Sequence, residues 1–142
     1  MKVRKSQNLP PKAKDTLDRH GVVYEHSDAA IKEAEYLLDN PPTVTDLIGN
    51  SDRRDLRHIP FVTLDGEGTK LRDDAFYLEP DTNKNNPGGY KLWVASPDVS
   101  YFIKSGSALD IQARERFSNL KGMVPIFPTE ITKHLFSLDP NK

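Results

Sequence analysis

The chain has 142 residues, of which 36% are hydrophobic and 29% are charged, with a net charge of −1. This length is typical of one domain and short for two, and the absence of cysteine excludes disulfide scaffolds, thiolate-bound metals and thiol nucleophiles. The near-neutral charge argues against a strongly basic nucleic-acid binder, and no apolar run approaches the roughly 20 residues that cross a bilayer, so we expect a cytoplasmic protein without a membrane partner.

The N-terminal part of the chain is basic at first and then acidic and helical. Residues 1–14 are rich in Lys and Arg and hold no acid, and we interpret them as a basic flexible arm. Helical patterns follow at residues 12–19, ended by Gly21, and after Ser27, where Ala30, Ile31, Ala34, Leu37 and Leu38 share one face. The polar stretch 41–55 resembles a connector. We therefore assign residues 15–54 to a helical lead and linker.

The second half of the chain has the character of strands followed by helices. Strands are predicted at residues 59–64, 75–78, 90–95 and 99–103, and the turn-rich segment 81–89 makes the middle two a β-hairpin. Ser107 can cap a helix over residues 107–119 with apolar positions at Leu109, Ile111, Ala113 and Phe117, and a short helix is predicted between Pro128 and Phe136. Trp93 and Tyr101, within strand patterns, are interpreted as core residues. The pattern is α+β.

An acidic cluster follows the first predicted strand. Asp65, Glu67, Asp73 and Asp74 fall within ten residues, and Gly66 and Gly68 between them allow the chain to fold back. Carboxylate oxygens are the ligands that Mg²⁺ prefers, and such a site could polarise a phosphodiester or activate a water molecule. The alternative is a solvated acidic loop in which Lys70 and Arg72 neutralise the charge. Spacing alone leaves both interpretations open.

Several segments, in order, resemble the catalytic domain of the ribonuclease II / ribonuclease R (RNB) family. They are residues 55–67 (DLRHIPFVTLDGE), 73–76 (DDAF), 92–103 (LWVASPDVSYFI), 109–116 (LDIQARER), 125–128 (PIFP) and 135–140 (LFSLDP). The resemblance implies a partial RNB-type domain over residues 55–142, with a mostly antiparallel sheet, flanking helices and an N-terminal helical segment. It favours the metal-site interpretation of the acidic cluster.

The family resemblance also implies a function. Its members are Mg²⁺-dependent exoribonucleases that degrade single-stranded RNA from the 3′ end and release nucleoside 5′-monophosphates. Asp65, Asp73 and Asp74 match family aspartates that hold the metal and the scissile phosphate, with Asp73 and Asp74 catalytic. In that interpretation Asp65 and Asp74 ligate Mg²⁺, and Asp73 orients the phosphate or the water. Leu71 stands where the family has a further aspartate, and leucine cannot bind a cation.

The chain departs from the family in other ways, and these departures lead to alternative hypotheses about its function. The stretch between Arg116 and Pro125 is short, and no tyrosine follows Tyr101 to stack on a terminal base. The family's domain is expected to continue beyond residue 142 and to supply further catalytic and RNA-channel residues. The chain is then either a reduced exoribonuclease or a non-catalytic pseudoenzyme that binds RNA or a protein as a regulator; a decayed reading frame that still folds is the third alternative. Exposed strand edges also predict self-association or a protein partner.

Overall fold

The structure, a computed structural model, describes residues 1–49, 52–116 and 124–138 and divides into two compact units. The first unit comprises Met1–Pro41 and Asp98–Phe136, and the second comprises Pro42–Pro97 together with Ser137 and Leu138. In the described part of the chain, no helix combines the length and the apolar character that a membrane span requires.

Six helices and one hairpin are assigned within the described residues. In chain order they are α1 (Pro11–Arg19), α2 (Asp28–Asp39), α3 (Val44–Ile48), β1 (Ala75–Pro80), β2 (Tyr90–Ala95), α4 (Val99–Phe102), α5 (Ala108–Glu115) and α6 (Thr129–Leu135). The helices α1, α2, α4, α5 and α6 belong to the first unit, and α3 and the hairpin belong to the second. This mixture of helices and antiparallel strands confirms the predicted α+β class.

Helices α2 and α5 of the first unit begin where the sequence predicts them. The Ser27 side chain accepts a hydrogen bond of 3.2 Å from the Ala30 N–H at the start of α2, and Ser107 caps α5 in the same way through the Asp110 N–H at 3.3 Å. These bonds satisfy backbone donors that the first helical turn leaves unpaired. Helix α5 ends at Glu115 with Arg116 as its C-cap, and the rest of the predicted helix, residues 117–119 with Phe117, lies outside the described residues.

The core of the first unit forms where α5 and α6 pack on α2. Its buried members are Val3, Ala30, Ala34, Ile103, Leu109, Ile131 and Phe136. The small side chains of Ala30 and Ala34 allow the other helices to approach α2 closely. A second cluster joins Leu9, Leu17 and Val124. Val3 and Leu9 thus bring the basic N-terminal stretch into contact with the cores, while the predicted boundaries at residues 14 and 54 stay predictions.

The second unit is built on the β1–β2 hairpin, which confirms the hairpin prediction. The strands pair antiparallel, with Tyr77 opposite Trp93, Leu78 opposite Leu92 and Glu79 opposite Lys91. Gly88 adopts a φ of +75° in the connecting loop, a conformation that side chains other than glycine rarely take. Because side chains alternate along a strand, Tyr77 and Trp93 share one face, and Leu78, Leu92 and Val94 share the other.

Two strand predictions are wrong. Residues 99–103 form helix α4 and a following turn, because the Asp98 carboxylate accepts the Tyr101 N–H at 3.1 Å and caps a helical turn. Residues 59–64 contribute only an isolated bridge at Val62, since the Phe61 N–H bonds locally to the Ile59 carbonyl at 2.9 Å.

The connector predicted at residues 41–55 contains the short helix α3. It begins with a capping box, in which the Thr43 side chain accepts the Asp46 N–H and the Asp46 carboxylate accepts the Thr43 N–H. This reciprocal pair satisfies two backbone donors at once. Local capping therefore makes a helix within a stretch whose composition suggests only a linker.

Candidate site in the acidic loop

The acidic loop, defined as residues 63–75, is closed at its base by a β-bridge. The Val62 N–H donates to the Phe76 carbonyl at 2.9 Å, and the Phe76 N–H donates to the Val62 carbonyl at 2.8 Å. Within the described residues no further bridge joins the two arms, so the pairing fixes only the base of the loop. The chain therefore folds back in the way that the glycines of this segment allow.

The tip of the acidic loop is a tight turn. The Thr69 N–H and hydroxyl both donate to the Gly66 carbonyl, at 3.2 and 2.8 Å, and Gly68 has a φ of +79°. Glu67 is exposed within this turn. It lies at the tip of the loop, whereas Asp65 and Asp73 lie on the two arms that the turn joins.

An ion pair crosses the arms of the loop. The Arg72 Nε atom lies 3.6 Å from the Asp65 Oδ2 atom, and the Asp65 side chain is only 18% exposed. The guanidinium stands beside a carboxylate that the sequence assigns to a metal ion. In this contact Arg72 neutralises the charge of Asp65, as expected if the segment is a solvated acidic loop.

The metal-ligand roles assigned to Asp65, Asp73 and Asp74 stay predictions. Asp73 and Asp74 are exposed, and no three His, Asp or Glu side chains within residues 1–49, 52–116 and 124–138 converge to hold a metal ion. Leu71 contributes no oxygen, and Arg72 brings positive charge to Asp65. A hard cation needs several oxygen ligands without a competing cation, so this donor set does not fit Mg²⁺. The catalytic roles of Asp73 and Asp74 stay predictions.

The acidic loop is hydrogen-bonded to Ser137 and Leu138, which are distant in sequence. The Arg72 N–H donates to the Ser137 hydroxyl at 3.3 Å, and the Leu138 N–H donates to the Arg72 carbonyl at 2.7 Å. The segment beginning at residue 135 therefore pairs with the backbone immediately before Asp73. One of the segments that resemble the RNB family, 135–140, thus contacts the residue directly before another, 73–76.

A cleft that the sequence analysis missed lies on the Tyr77 and Trp93 face of the hairpin. This Trp93 cleft has a volume of about 250 Å³, and its lining includes Arg54, His58, Tyr77, Glu79 and Trp93. Trp93 is only half-buried, and Tyr101 lies half-buried in α4, so neither occupies the strand core expected for it. The hairpin register could have indicated this aromatic surface, because it places Tyr77 directly opposite Trp93.

The charges beside the cleft are ordered by hydrogen bonds. The Trp93 indole N–H donates to the Glu79 Oε1 atom at 3.0 Å, and Lys91 donates to the same oxygen at 3.3 Å. The bond from Trp93, followed by that from Lys91, lowers the pKa of Glu79. In the segment before the cleft, hydrogen bonds from Arg57 lower the pKa of Asp55 to about 2.

Segments that resemble the RNB family occur in order along the second half of the chain. The family model described as the RNB domain matches residues 53–142, more than half of the chain. The chain therefore belongs to the RNB domain family.

Curated relatives extend this likeness beyond the matched domain. The chain is 41% identical over 127 residues to Ribonuclease R of Escherichia coli, 36% over 124 residues to that of Vibrio parahaemolyticus, and 38% over 130 residues to Exoribonuclease 2 of Buchnera aphidicola. These alignments cover 87%, 85% and 89% of this chain but only 15%, 14% and 18% of the respective relatives.

Solved structures agree with the sequence relatives. Mycoplasma genitalium RNase R in complex with double-stranded RNA matches with a TM-score of 0.73 and 26% identity, over 92% of this chain and 22% of that one. The same enzyme in complex with ribose-methylated single-stranded RNA matches with a TM-score of 0.74 and 27% identity, over 92% of this chain and 20% of that one. The partial RNB-type fold expected from the sequence is confirmed.

Proposed function

We propose that this chain binds single-stranded RNA and does not hydrolyse it by itself. RNA binding is supported by the relatives named Ribonuclease R and Exoribonuclease 2 and by the RNA complexes among the similar solved structures. The absence of hydrolysis is supported by one observation above all, which is the pairing of Asp65 with Arg72 in place of a group of converging carboxylates.

The physical argument concerns charge and positioning. Hydrolysis of a phosphodiester requires preorganised groups that stabilise the charge developing on the phosphate oxygens. A nearby guanidinium disfavours a divalent cation at Asp65 because like charges repel, and Leu71 offers no oxygen to compensate. Asp73 and Asp74 alone leave the expected metal without a complete set of ligands, so we expect no turnover.

A degradation assay tests the absence of hydrolysis. The purified chain is incubated with 5′-labelled single-stranded RNA and Mg²⁺ beside the Asp74→Asn variant, and product lengths are resolved on a denaturing gel. We expect intact RNA in both samples. Shortening from the 3′ end that Asp74→Asn abolishes would establish the reduced exoribonuclease and contradict this proposal, whereas equal shortening in both samples would indicate a contaminating nuclease.

RNA binding is measured separately by fluorescence anisotropy of a labelled oligonucleotide. We expect the anisotropy to rise with protein concentration and the affinity to fall with added salt, because contacts to phosphate release counterions. An anisotropy that stays flat at the highest soluble protein concentration and low salt would refute the binding half of the proposal.

The Leu71→Asp variant tests why the donor set does not fit a cation. Leu71→Asp restores a carboxylate, and Leu71→Asn is the matched uncharged control. With Mn²⁺ as a spectroscopic probe, we expect roughly tenfold tighter binding to Leu71→Asp than to the control, about 1.4 kcal/mol. Equal binding by wild type, Leu71→Asp and Leu71→Asn would show that position 71 is not the missing ligand.

A second candidate function is that of a protein-binding regulator, and we propose a second copy of this chain as its partner. The supporting observation is the apolar hairpin face, on which Leu78, Leu92 and Val94 are 56%, 58% and 61% exposed. Contiguous exposed apolar side chains commonly mark interaction surfaces. Sedimentation velocity should detect dimers that the Leu92→Ser variant loses, and a monomer at every concentration would contradict this candidate. The cytoplasmic location stays a prediction.

A further inference from the structure

The walls of the Trp93 cleft are flat, aromatic and held in place. Trp93 and Tyr77 are directly opposed on neighbouring strands, and the Tyr77 ring meets Phe61 edge-on with 6.3 Å between ring centroids. The indole N–H of Trp93 is bonded to Glu79, and the Lys91 ammonium lies 5.6 Å from the centre of the Trp93 ring. Aromatic walls that are already fixed lose little conformational entropy when they receive a flat ligand.

The rim of the cleft carries groups that suit an anion. Arg54 and His58 are both exposed and line the cleft. Neighbouring Arg57 is held in hydrogen bonds by Asp55, whereas no ion pair of Arg54 is found among the described residues. Arg54 can therefore meet a phosphate without first breaking a salt bridge, and a guanidinium matches the geometry of phosphate oxygens.

The size of the cleft limits what enters it. A volume of about 250 Å³ lies just below the range of roughly 300–1,000 Å³ typical of small-molecule sites. It suits a single flat ring system with a charged neighbour outside. The charged groups in the lining, Arg54 and Glu79, disfavour an apolar protein segment as the occupant.

We propose that the Trp93 cleft receives one base of single-stranded RNA, with Arg54 and His58 contacting the adjacent phosphate. This inference rests on the proposed RNA binding and adds the place where a base is held. Base stacking on aromatic side chains tolerates any sequence because every base has a π-face. The site differs in composition from the acidic loop, since Arg54, His58 and two aromatic rings line it beside the carboxylate of Glu79.

The experiment uses the intrinsic fluorescence of the protein. Trp93 is the sole tryptophan of the chain, so its emission reports on this cleft alone. Oligoadenylate of eight nucleotides is titrated into the full chain while emission is followed, and binding of the same labelled oligonucleotide is measured in parallel by anisotropy. We expect quenching of Trp93 that saturates at the oligonucleotide concentration at which the anisotropy saturates. Adenosine 5′-monophosphate, titrated in the same way, should quench more weakly because it offers a single phosphate.

Matched variants separate stacking from charge. Trp93→Leu keeps an apolar side chain and should weaken oligonucleotide binding about tenfold, within the range measured for the loss of one stacked base. Arg54→Gln should weaken binding and flatten its dependence on salt, whereas Lys84→Gln removes an equal charge from the exposed hairpin loop and should change binding less. Circular dichroism confirms that each variant is folded.

The outcomes distinguish the two proposals. Binding by anisotropy with unchanged Trp93 emission and unchanged affinity in Trp93→Leu would overturn the cleft and leave the proposed RNA binding intact. No binding in either measurement would refute both. Emission that changes with protein concentration alone, without RNA, would mean that a second protein copy fills the cleft, and would also overturn the inference.

Discussion

The two units of the molecule bury their apolar residues very differently. In the first unit the helices enclose a core that includes Leu109 and Ile131, which are 1% and 0% exposed. In the second unit, Ala75 is the single buried hydrophobic residue within the described part of the chain. Most of its larger apolar side chains stay accessible, among them Leu64 at 81% and Leu92 at 58%. Packing holds the first unit together, whereas hydrogen bonds and ion pairs hold much of the second.

This difference has a physical origin in the elements themselves. Helices place a stripe of apolar side chains on one face and can bury it against one another, as α5 and α6 do against α2. An isolated hairpin has two faces and is only marginally stable by itself in water. The Tyr77 and Trp93 face of this hairpin is partly covered by residues 54–61, but its apolar face, with Leu78, Leu92 and Val94, is exposed. The second unit is therefore the place to look for partners and ligands.

The largest difference in stability between the two units is expected when a leucine in each is truncated to alanine. Leu109→Ala should lower the free energy of unfolding by about 3 kcal/mol, because it leaves a cavity in a closed core. Leu92→Ala removes the same atoms from an exposed position and should cost less than about 0.5 kcal/mol. Urea denaturation of both variants beside the wild type measures the difference. Equal losses in the two variants would mean that the apolar hairpin face is covered in solution.

The next largest effect concerns His26, a buried residue of the first unit. The Gln112 Oε1 atom accepts the Ser27 N–H at 2.8 Å, so the Gln112 amide nitrogen must donate to His26 Nδ1, 2.6 Å away. A ring nitrogen that accepts cannot carry a proton. Burial, and next the positive charge of Arg116, lower the pKa of His26 to about 4, while Glu130 acts in the opposite direction.

This shift predicts that the first unit loses stability in acid. Below the ordinary pKa of about 6.5 the unfolded chain binds a proton at His26 that the folded chain refuses, so stability falls as the pH drops from 6.5 towards 4. We expect a loss of roughly 2 kcal/mol between pH 6.5 and 4.5. Unfolding free energies of the wild type and of His26→Asn, measured across this range, isolate the contribution. Parallel pH profiles for the two proteins would contradict it.

Helix caps give a smaller effect that again compares the units. Ser27→Ala should lower the free energy of unfolding by about 1 kcal/mol, because it leaves the Ala30 N–H without its partner at the start of a helix that carries the core. Thr43→Ala breaks the capping box of the exposed helix α3 and should change global stability less, since α3 contributes no buried residue. Thermal unfolding of both variants shows which loses more stability. A larger loss from Thr43→Ala would mean that α3 contributes more to global stability than the cap of α2 does.

The smallest effect is expected at the surface of the hairpin. Lys91→Gln removes a partly exposed ion pair with Glu79 and should change stability by less than about 0.5 kcal/mol. It also removes the ammonium beside the Trp93 ring, so the Trp93 emission should change even where the unfolding free energy does not. An unaltered emission spectrum would show that the ammonium and the ring do not interact in solution.

Much of the fold was predictable because its signals are local. Ser27 and Ser107 cap the helices that they were expected to cap, and the turn over residues 81–89 joins the paired strands. The failures share a cause. Residues 99–103 have the composition of a strand, but a single capping bond from Asp98 forms a helical turn there, and the strand expected at residues 59–64 finds only one bridge to β1.

The sequence by itself determined the α+β class, the helix starts, the hairpin and membership of the RNB domain family, because capping residues, turn residues and ordered motifs act within short stretches of chain. Only the tertiary structure decided that Arg72 reaches Asp65, that Ser137 and Leu138 hold the acidic loop, and that Trp93 lines a cleft instead of a core. Each of these depends on which distant segments meet and on how much apolar surface remains to cover a given side chain. Neither the contacts between distant segments nor the apolar surface left to cover a side chain can be read from the spacing of residues along the chain.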